Sequence, residues 1–272
     1  MNRKAFISDD YSLRRLIIRP GAIGDCILAM PAMEFLKADY TEVWVPSPMV
    51  PLIRFADRVR SIAGTGLDLL GLPDVEPPRG LVEKLRGFDS IVSWYGAKRE
   101  ELRPVLDAEF LPALPGPDNR EHCADFFARQ VRAPTPAIPR LPGIEASGND
   151  FAVIHPFSGS PRKNWPLERY RELAERSPLP VRWCAGPEET LPGATRIDNL
   201  WELASWIAGA GVYIGNDSGI THLAAATGVP VIAIFGPTDP LIWAPRGENV
   251  QVVHGNLEDL SVQEICDKIG WT

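Results

Sequence analysis

The chain has 272 residues, 45% of them apolar and 23% charged, which is ample for a core and more than the roughly 100–200 residues of a usual single domain, so two domains are expected. A formal net charge of −7 excludes general nucleic-acid binding, which needs a dense positive face. The four cysteines, Cys26, Cys123, Cys184 and Cys266, form no CxxC pair, which argues against a zinc site and a disulfide framework and for a reducing compartment.

At the N-terminus, "MNRKAFISDDYSLRR" lacks the apolar region of an export signal, and no later stretch approaches the roughly 18 apolar residues that cross a bilayer. A cytoplasmic protein is expected, with room for peripheral contact at the inner membrane face. Residues 13–19, 42–46 and 90–94 read as strands, and 23–37 and 121–132 have helical length and spacing. Residues 133–150, "APTPAIPRLPGIEASGND", are proline-rich without apolar periodicity and read as an interdomain linker. The second half alternates more plainly: strand "FAVIHP", helix "LERYRELAERS", strand "VRWCAG", helix "LWELASWIAGA", strand "GVYIGN", helix "GITHLAAATG", strand "VPVIAIFG". Such alternation implies parallel sheets, whose ligands bind at the carboxyl ends of the strands. Two Rossmann-like domains facing a cleft are expected, residues 1–140 and 151–272.

Several familiar motifs fail on spacing. "GTGLDLLG" places its third glycine two positions late for GxGxxG, no GxxxxGK[ST] loop occurs, and "GNDSG" puts its serine one place off a nucleophile elbow. Three strand-end turns remain. In "RPGAIGDCILAMPA", Gly21 and Gly24 allow close backbone approach and Asp25 sits in the first helical turn, where by itself an acid merely complements the helix dipole. In "HPFSGSPRKNWP", Ser158, Gly159, Ser160, Arg162 and Lys163 make a diphosphate cradle, or else a solvated loop with Trp165 in the core. In "GNDSGITHLAAATGVPVIAIFGPTDP", Asp217 or Ser218 caps a helix, Gly219 opens its first amides, and His222 lies one turn in, while Thr238 and Asp239 offer hydrogen bonds at the next strand end. No Asp and His cluster has metal-ligand spacing.

These three blocks, in this order, resemble the signature blocks of the heptosyltransferase family, glycosyltransferase family 9. The resemblance implies a GT-B fold, with a nucleotide-sugar donor, ADP-heptose, on the C-terminal domain and a glycan or glycolipid acceptor such as lipopolysaccharide core on the N-terminal one. It implies inverting transfer with Asp25 as general base and Lys163 on the donor phosphate. Asp217 and His222 would line the donor sugar and diphosphate, with Ser158, Gly159, Ser160, Ser218 and Gly219 around them, and Glu188 or Glu189 would lie near the ribose. No metal and no cofactor beyond the donor are expected. On the acceptor side stand Gly24 and Arg54, Arg58 and Arg60; the arginines would hold an acceptor phosphate or carboxylate, or else form a solvated helix face. Where the family often has hydroxyls before the GD pair, this chain has Pro20, Gly21 and Ala22, and it is short for the family, so a different acceptor is in view. Two other functions fit the same pattern, a nucleotide-sugar epimerase and a non-catalytic sugar-nucleotide or glycan-binding module.

Overall fold

In the computed structural model, which describes residues 13–271, the two alternating halves form two five-stranded parallel sheets. Most of the N-terminal stretch read as lacking an export signal lies outside the described residues. Among those described, no helix is long and apolar enough to cross a membrane.

The first sheet has the order β3-β2-β1-β4-β5, with β1 Arg14–Ile18, β2 Tyr40–Val45, β3 Arg58–Ser61, β4 Ser90–Ser93 and β5 Glu109–Phe110. Helices α1 (Ile23–Phe35), α2 (Leu81–Arg86) and α3 (Cys123–Gln130) accompany it. The second has the order β10-β9-β8-β6-β7, made of β6 Ala152–His155, β7 Val181–Trp183, β8 Val212–Asn216, β9 Val231–Phe235 and β10 Val250–His254. Its helices are α4 (Leu167–Glu175), α5 (Leu200–Ala208), α6 (Gly219–Thr227), α7 (Pro240–Trp243) and α8 (Val262–Ile269).

The central strands are apolar on both faces because helices or loops cover both. Ile17 of β1 sits between Val43 and Val92, and Ile214 of β8 between Ile154 and Ile232. One apolar cluster runs without a break from the first sheet through α1 and α3 to α5, α6 and the second sheet, so the two halves share a core. Residues 133–150 contain no helix or strand, yet they are pinned: Leu141 N donates to Ala226 O (3.1 Å) and Ser147 N to Ala208 O (2.9 Å), while Ala137 N donates to Asp125 Oδ1 (2.8 Å).

One local expectation is corrected. Arg58 and Arg60 do not lie on a helix face; they belong to the edge strand β3, paired in register with Glu42 and Trp44. An edge strand tolerates charged residues, and four residues are too few for their period of two to stand out from the surrounding sequence.

Candidate active site

The carboxyl ends of both sheets open into one cleft of about 740 Å³. On one wall, Gly21 (φ +128°) turns the chain after β1 in a conformation that L side chains rarely adopt, and α1 starts two residues later. Asp25 is the third residue of α1, and its Oδ2 accepts the Ala22 amide at 3.3 Å. The carboxylate thus serves the helix start and also lines the cleft. Behind this turn lies Arg19, which sequence reasoning missed and which is 1% exposed. Its guanidinium donates to Pro20 O (2.9 Å) and Asp25 O (3.1 Å) and stands 4.5 Å from the Phe127 ring centroid. Burial lowers its pKa, opposed by the fields of Cys26 and Asp25.

The opposite wall belongs to the second sheet. The loop after β6 is tied down through Asn216, whose Oδ1 accepts both Trp165 N and the Tyr170 hydroxyl at 2.9 Å. Trp165 is core, as its plain reading required, and its indole donates to Leu260 O at 3.1 Å. The anchoring presents Ser158, Gly159 and Lys163 to the cleft, whereas Ser160 and the exposed Arg162 do not line it. Lys163 Nζ lies 2.7 Å from Asp217 Oδ2, close enough for an ion pair but poorly aligned for a hydrogen bond. The cap of α6 is Ser218, whose hydroxyl accepts the Thr221 amide at 3.3 Å, a contact worth about 0.5–2 kcal/mol. Asp217 is thereby free for the cleft. Asp239, by contrast, is spent on capping α7, while Thr238 lines the cleft.

Of the two acids after β7, Glu189 lines the cleft and Glu188 points to solvent. Glu189 Oε2 accepts the Gly186 amide (2.6 Å) and faces His155 Nε2 (3.0 Å). Burial pushes its pKa up, but these two hydrogen bonds outweigh burial and hold it below the ordinary carboxylate value. His155, 2% exposed at the end of β6, is a second residue the sequence reading missed; the only signal was its position at a strand end.

The two walls meet at a pair of glycines. A Cβ on Gly219 would stand 2.8 Å from Ile23 Cβ, and one on Gly24 would stand 2.9 Å from His222 Cδ2, so side chains at either position would push α1 and α6 apart. Farther along the seam, His122 Nε2 lies 2.8 Å from Ala244 O, and Arg246 grips Asp125 with both terminal nitrogens at 2.6 Å. Arg54 crosses the seam, its guanidinium 4.3 Å from the Trp201 ring centroid. Arg60 turns away toward buried Glu42, which also takes Lys84 Nζ at 2.6 Å and the Trp44 indole at 2.7 Å beside a second cavity of about 470 Å³. None of Arg54, Arg58 and Arg60 lines the cleft.

Burial pushes the pKa of His222 down to about 4 against the opposing pull of Asp217, and partial burial pushes that of half-buried His122 down as well, so both are neutral near pH 7. A histidine whose folded pKa is depressed contributes stability that is complete above its ordinary value of about 6.5 and is lost as pH falls toward its folded value. The urea midpoint should therefore decline between pH 6.5 and 4. His222→Gln should show a shallower decline over that window, and an unchanged slope would contradict the assignment of a neutral, proton-excluding His222.

Among the described residues, no three His, Cys, Asp or Glu side chains gather as metal ligands. Two parallel-sheet domains facing each other across a cleft built from strand ends define the class, a GT-B-type fold. Solved structures agree: "E. coli heptosyltransferase WaaC with ADP" superposes with a TM-score of 0.70 at 18% identity, covering 95% of this chain and 99% of that one. "E. coli ADP-heptose lps heptosyltransferase II" gives a TM-score of 0.72 at 17% identity over 95% and 98%. The sequence matches then bear out the family that the three blocks resemble, glycosyltransferase family 9: the profile "Glycosyltransferase family 9 (heptosyltransferase)" matches residues 190–270. "Lipopolysaccharide heptosyltransferase 1" of Pseudomonas aeruginosa is 36% identical over 171 residues, 53% of this chain and 48% of that protein. The protein of the same name from Escherichia coli (strain K12) is 30% identical over 149 residues, 47% and 46%. The matched stretch spans about half the length of these relatives.

Proposed function

We propose that the protein is an inverting glycosyltransferase that moves a heptosyl unit from ADP-heptose to a hydroxyl of a cell-envelope glycan, working in the cytoplasm or on the inner membrane face. The observation that carries this reading is the placement of the Asp25 carboxylate, Lys163 and the N-terminus of α6 on one cleft across the Gly24–Gly219 seam. The names of the relatives support the sugar and the glycan, and the ADP that accompanies the first structural neighbour supports the nucleotide.

In this mechanism the acceptor oxygen bonds to the anomeric carbon from the face opposite the diphosphate, and Asp25 takes the hydroxyl proton as the bond forms. The bond from the anomeric carbon to the diphosphate oxygen breaks, and its electron pair leaves with the nucleoside diphosphate. Lys163 swings from Asp217 to the departing phosphate, where the amides of Ser218 and Gly219 add their dipoles, so that developing charge meets preorganised donors. Neutral His222 packs beside them as a hydrogen-bonding wall, with its Nδ1 buried and without a protein partner. Glu189, steadied by His155, offers its other oxygen to the ribose.

The direct experiment incubates the protein with ADP-heptose and a core-type acceptor and measures both ADP release and the glycoside formed. Donor alone distinguishes the alternatives, since an epimerase converts it to an isomer and a binding module leaves it intact. Because Lys163 and helix amides supply the positive potential, activity should survive excess EDTA. Loss of activity that magnesium or manganese restores would overturn this site.

A further inference from the structure

Arg19 is a charged residue buried to 1% exposure at the turn that carries Asp25. Its guanidinium reaches both ends of that turn, donating to Pro20 O at 2.9 Å and to Asp25 O at 3.1 Å. The rings of Phe127 and Trp94 stand against it, their centroids 4.5 and 6.0 Å away. A neutral amide could serve two carbonyls, and Arg19 Nε is buried without a protein partner, so hydrogen bonds alone do not offset the burial of a charge. The nearby anion lies across Gly21: a Cβ on that residue would stand 3.4 Å from Asp25 Oδ2 and 3.7 Å from Arg19 Nη1. The other acids in the field of Arg19 are the thiols of Cys26 on α1 and Cys123 on α3, which burial pushes up to about 11 and about 12, so both are uncharged near pH 7. The guanidinium itself stays protonated there. On α3, His122 is neutral and Asp125 is held by Arg246; from α6, neutral His222 packs on Gly24 of the same turn; Lys163, Glu189, Asp198 and Asp217 line the cleft with Asp25.

From this arrangement we infer that Arg19 is a positioning residue for Asp25: it ties the 20–25 turn at both ends and fixes a positive charge behind the carboxylate that takes the acceptor's proton. The inference rests on the transferase reading and assigns to it a residue that acts through another. A tied turn keeps the carboxylate in place while the acceptor oxygen closes on the anomeric carbon, and a misplacement of about 1 Å there is enough to cost a hundredfold in rate. A fixed positive charge beside a carboxylate favours its ionised form, the one that can accept a proton.

The test compares Arg19→Gln, which keeps an amide donor without the charge, with Arg19→Lys, which keeps the charge but reaches only one of the two carbonyls. With ADP-heptose and a core-type acceptor, Arg19→Gln should lower kcat about ten- to a hundredfold while KM for the donor stays put. The acidic limb of its rate profile should move to higher pH, since the charge that favours the ionised carboxylate is gone. Arg19→Lys should lose kcat only several-fold and keep the acidic limb of the unmodified protein. A merely structural arginine would shift urea midpoints without moving that limb, and an unmoved limb in a folded Arg19→Gln, or full kcat in both variants, would overturn the inference. Should Arg19→Gln fail to fold, Arg19→Lys decides by itself: a several-fold loss of kcat at constant donor KM supports the tie, and an unchanged kcat sinks it. A reading without turnover comes from NMR of the Ala22 amide, which donates to Asp25 Oδ2 and so reports the state of that carboxylate. Its shift should titrate at higher pH in Arg19→Gln than in Arg19→Lys or the unmodified protein. If the unmodified protein transfers nothing while this signal follows Arg19, the transferase reading falls and the tie between Arg19 and Asp25 stands; a signal indifferent to Arg19 sinks the tie.

Discussion

Asp25→Asn should lower turnover by roughly two to four orders of magnitude while donor affinity stays unchanged. The amide side chain keeps an oxygen for the Ala22 amide, now held at 3.3 Å, so the start of α1 is preserved. What is lost is the only function an amide cannot supply, acceptance of the hydroxyl proton. Were the acid merely a partner of the helix dipole, the substitution would cost no more than about 1 kcal/mol of stability and leave the rate nearly intact. Steady-state rates with saturating donor, a donor titration and a urea curve on the same preparation decide between them. A variant that turns over near the unmodified rate would refute the base assignment and leave the family resemblance untouched.

Lys163→Ala should weaken nucleotide-sugar binding by about 1.5–3 kcal/mol, the worth of a charge-assisted contact to phosphate. A solvated lysine on an open loop would leave no other trace, but this lysine is half-buried and stands 2.7 Å from Asp217, whose side chain is only 8% exposed. Its removal strands a buried carboxylate, so a loss of folding stability should accompany the loss of binding. Lys163→Ala combined with Asp217→Asn separates the two effects: stability should return, since no unpaired charge is left, whereas donor affinity should not. Calorimetric titration with ADP and thermal unfolding of the single and double variants give both numbers. Full donor affinity in Lys163→Ala would move the phosphate site elsewhere.

The seven elements read in the second half, from "FAVIHP" to "VPVIAIFG", all form where the pattern put them, because apolar runs of strand length and amphipathic runs of helix length declare themselves locally. The last strand and helix, β10 and α8, went unread: β10 is only partly buried and carries Gln251 among its valines, and the amphipathic pattern of α8 is confined to two turns. The local pattern also located the cleft, since strand-end turns rich in Gly, Ser and Asp were its candidates and all three line it.

Local sequence does not carry the direction in which a side chain leaves a turn. Glu188 and Glu189 are equivalent as letters, and the hydrogen bonds from Gly186 and His155 select the second. Asp217 and Ser218 are both good caps, and the backbone at Ser218 gives it the role, releasing Asp217 to Lys163. Arg54 and Arg60 look like an anion grip until their partners Trp201 and Glu42 are seen, one across the domain seam and the other on the neighbouring strand. The sequence by itself therefore determined the two parallel sheets, the turns that line the cleft and the family resemblance, all of which depend on periodicity and short-range spacing. Only the tertiary structure decided which carboxylate faces the cleft and that Gly24 and Gly219 touch, because each depends on contacts between residues far apart in the chain.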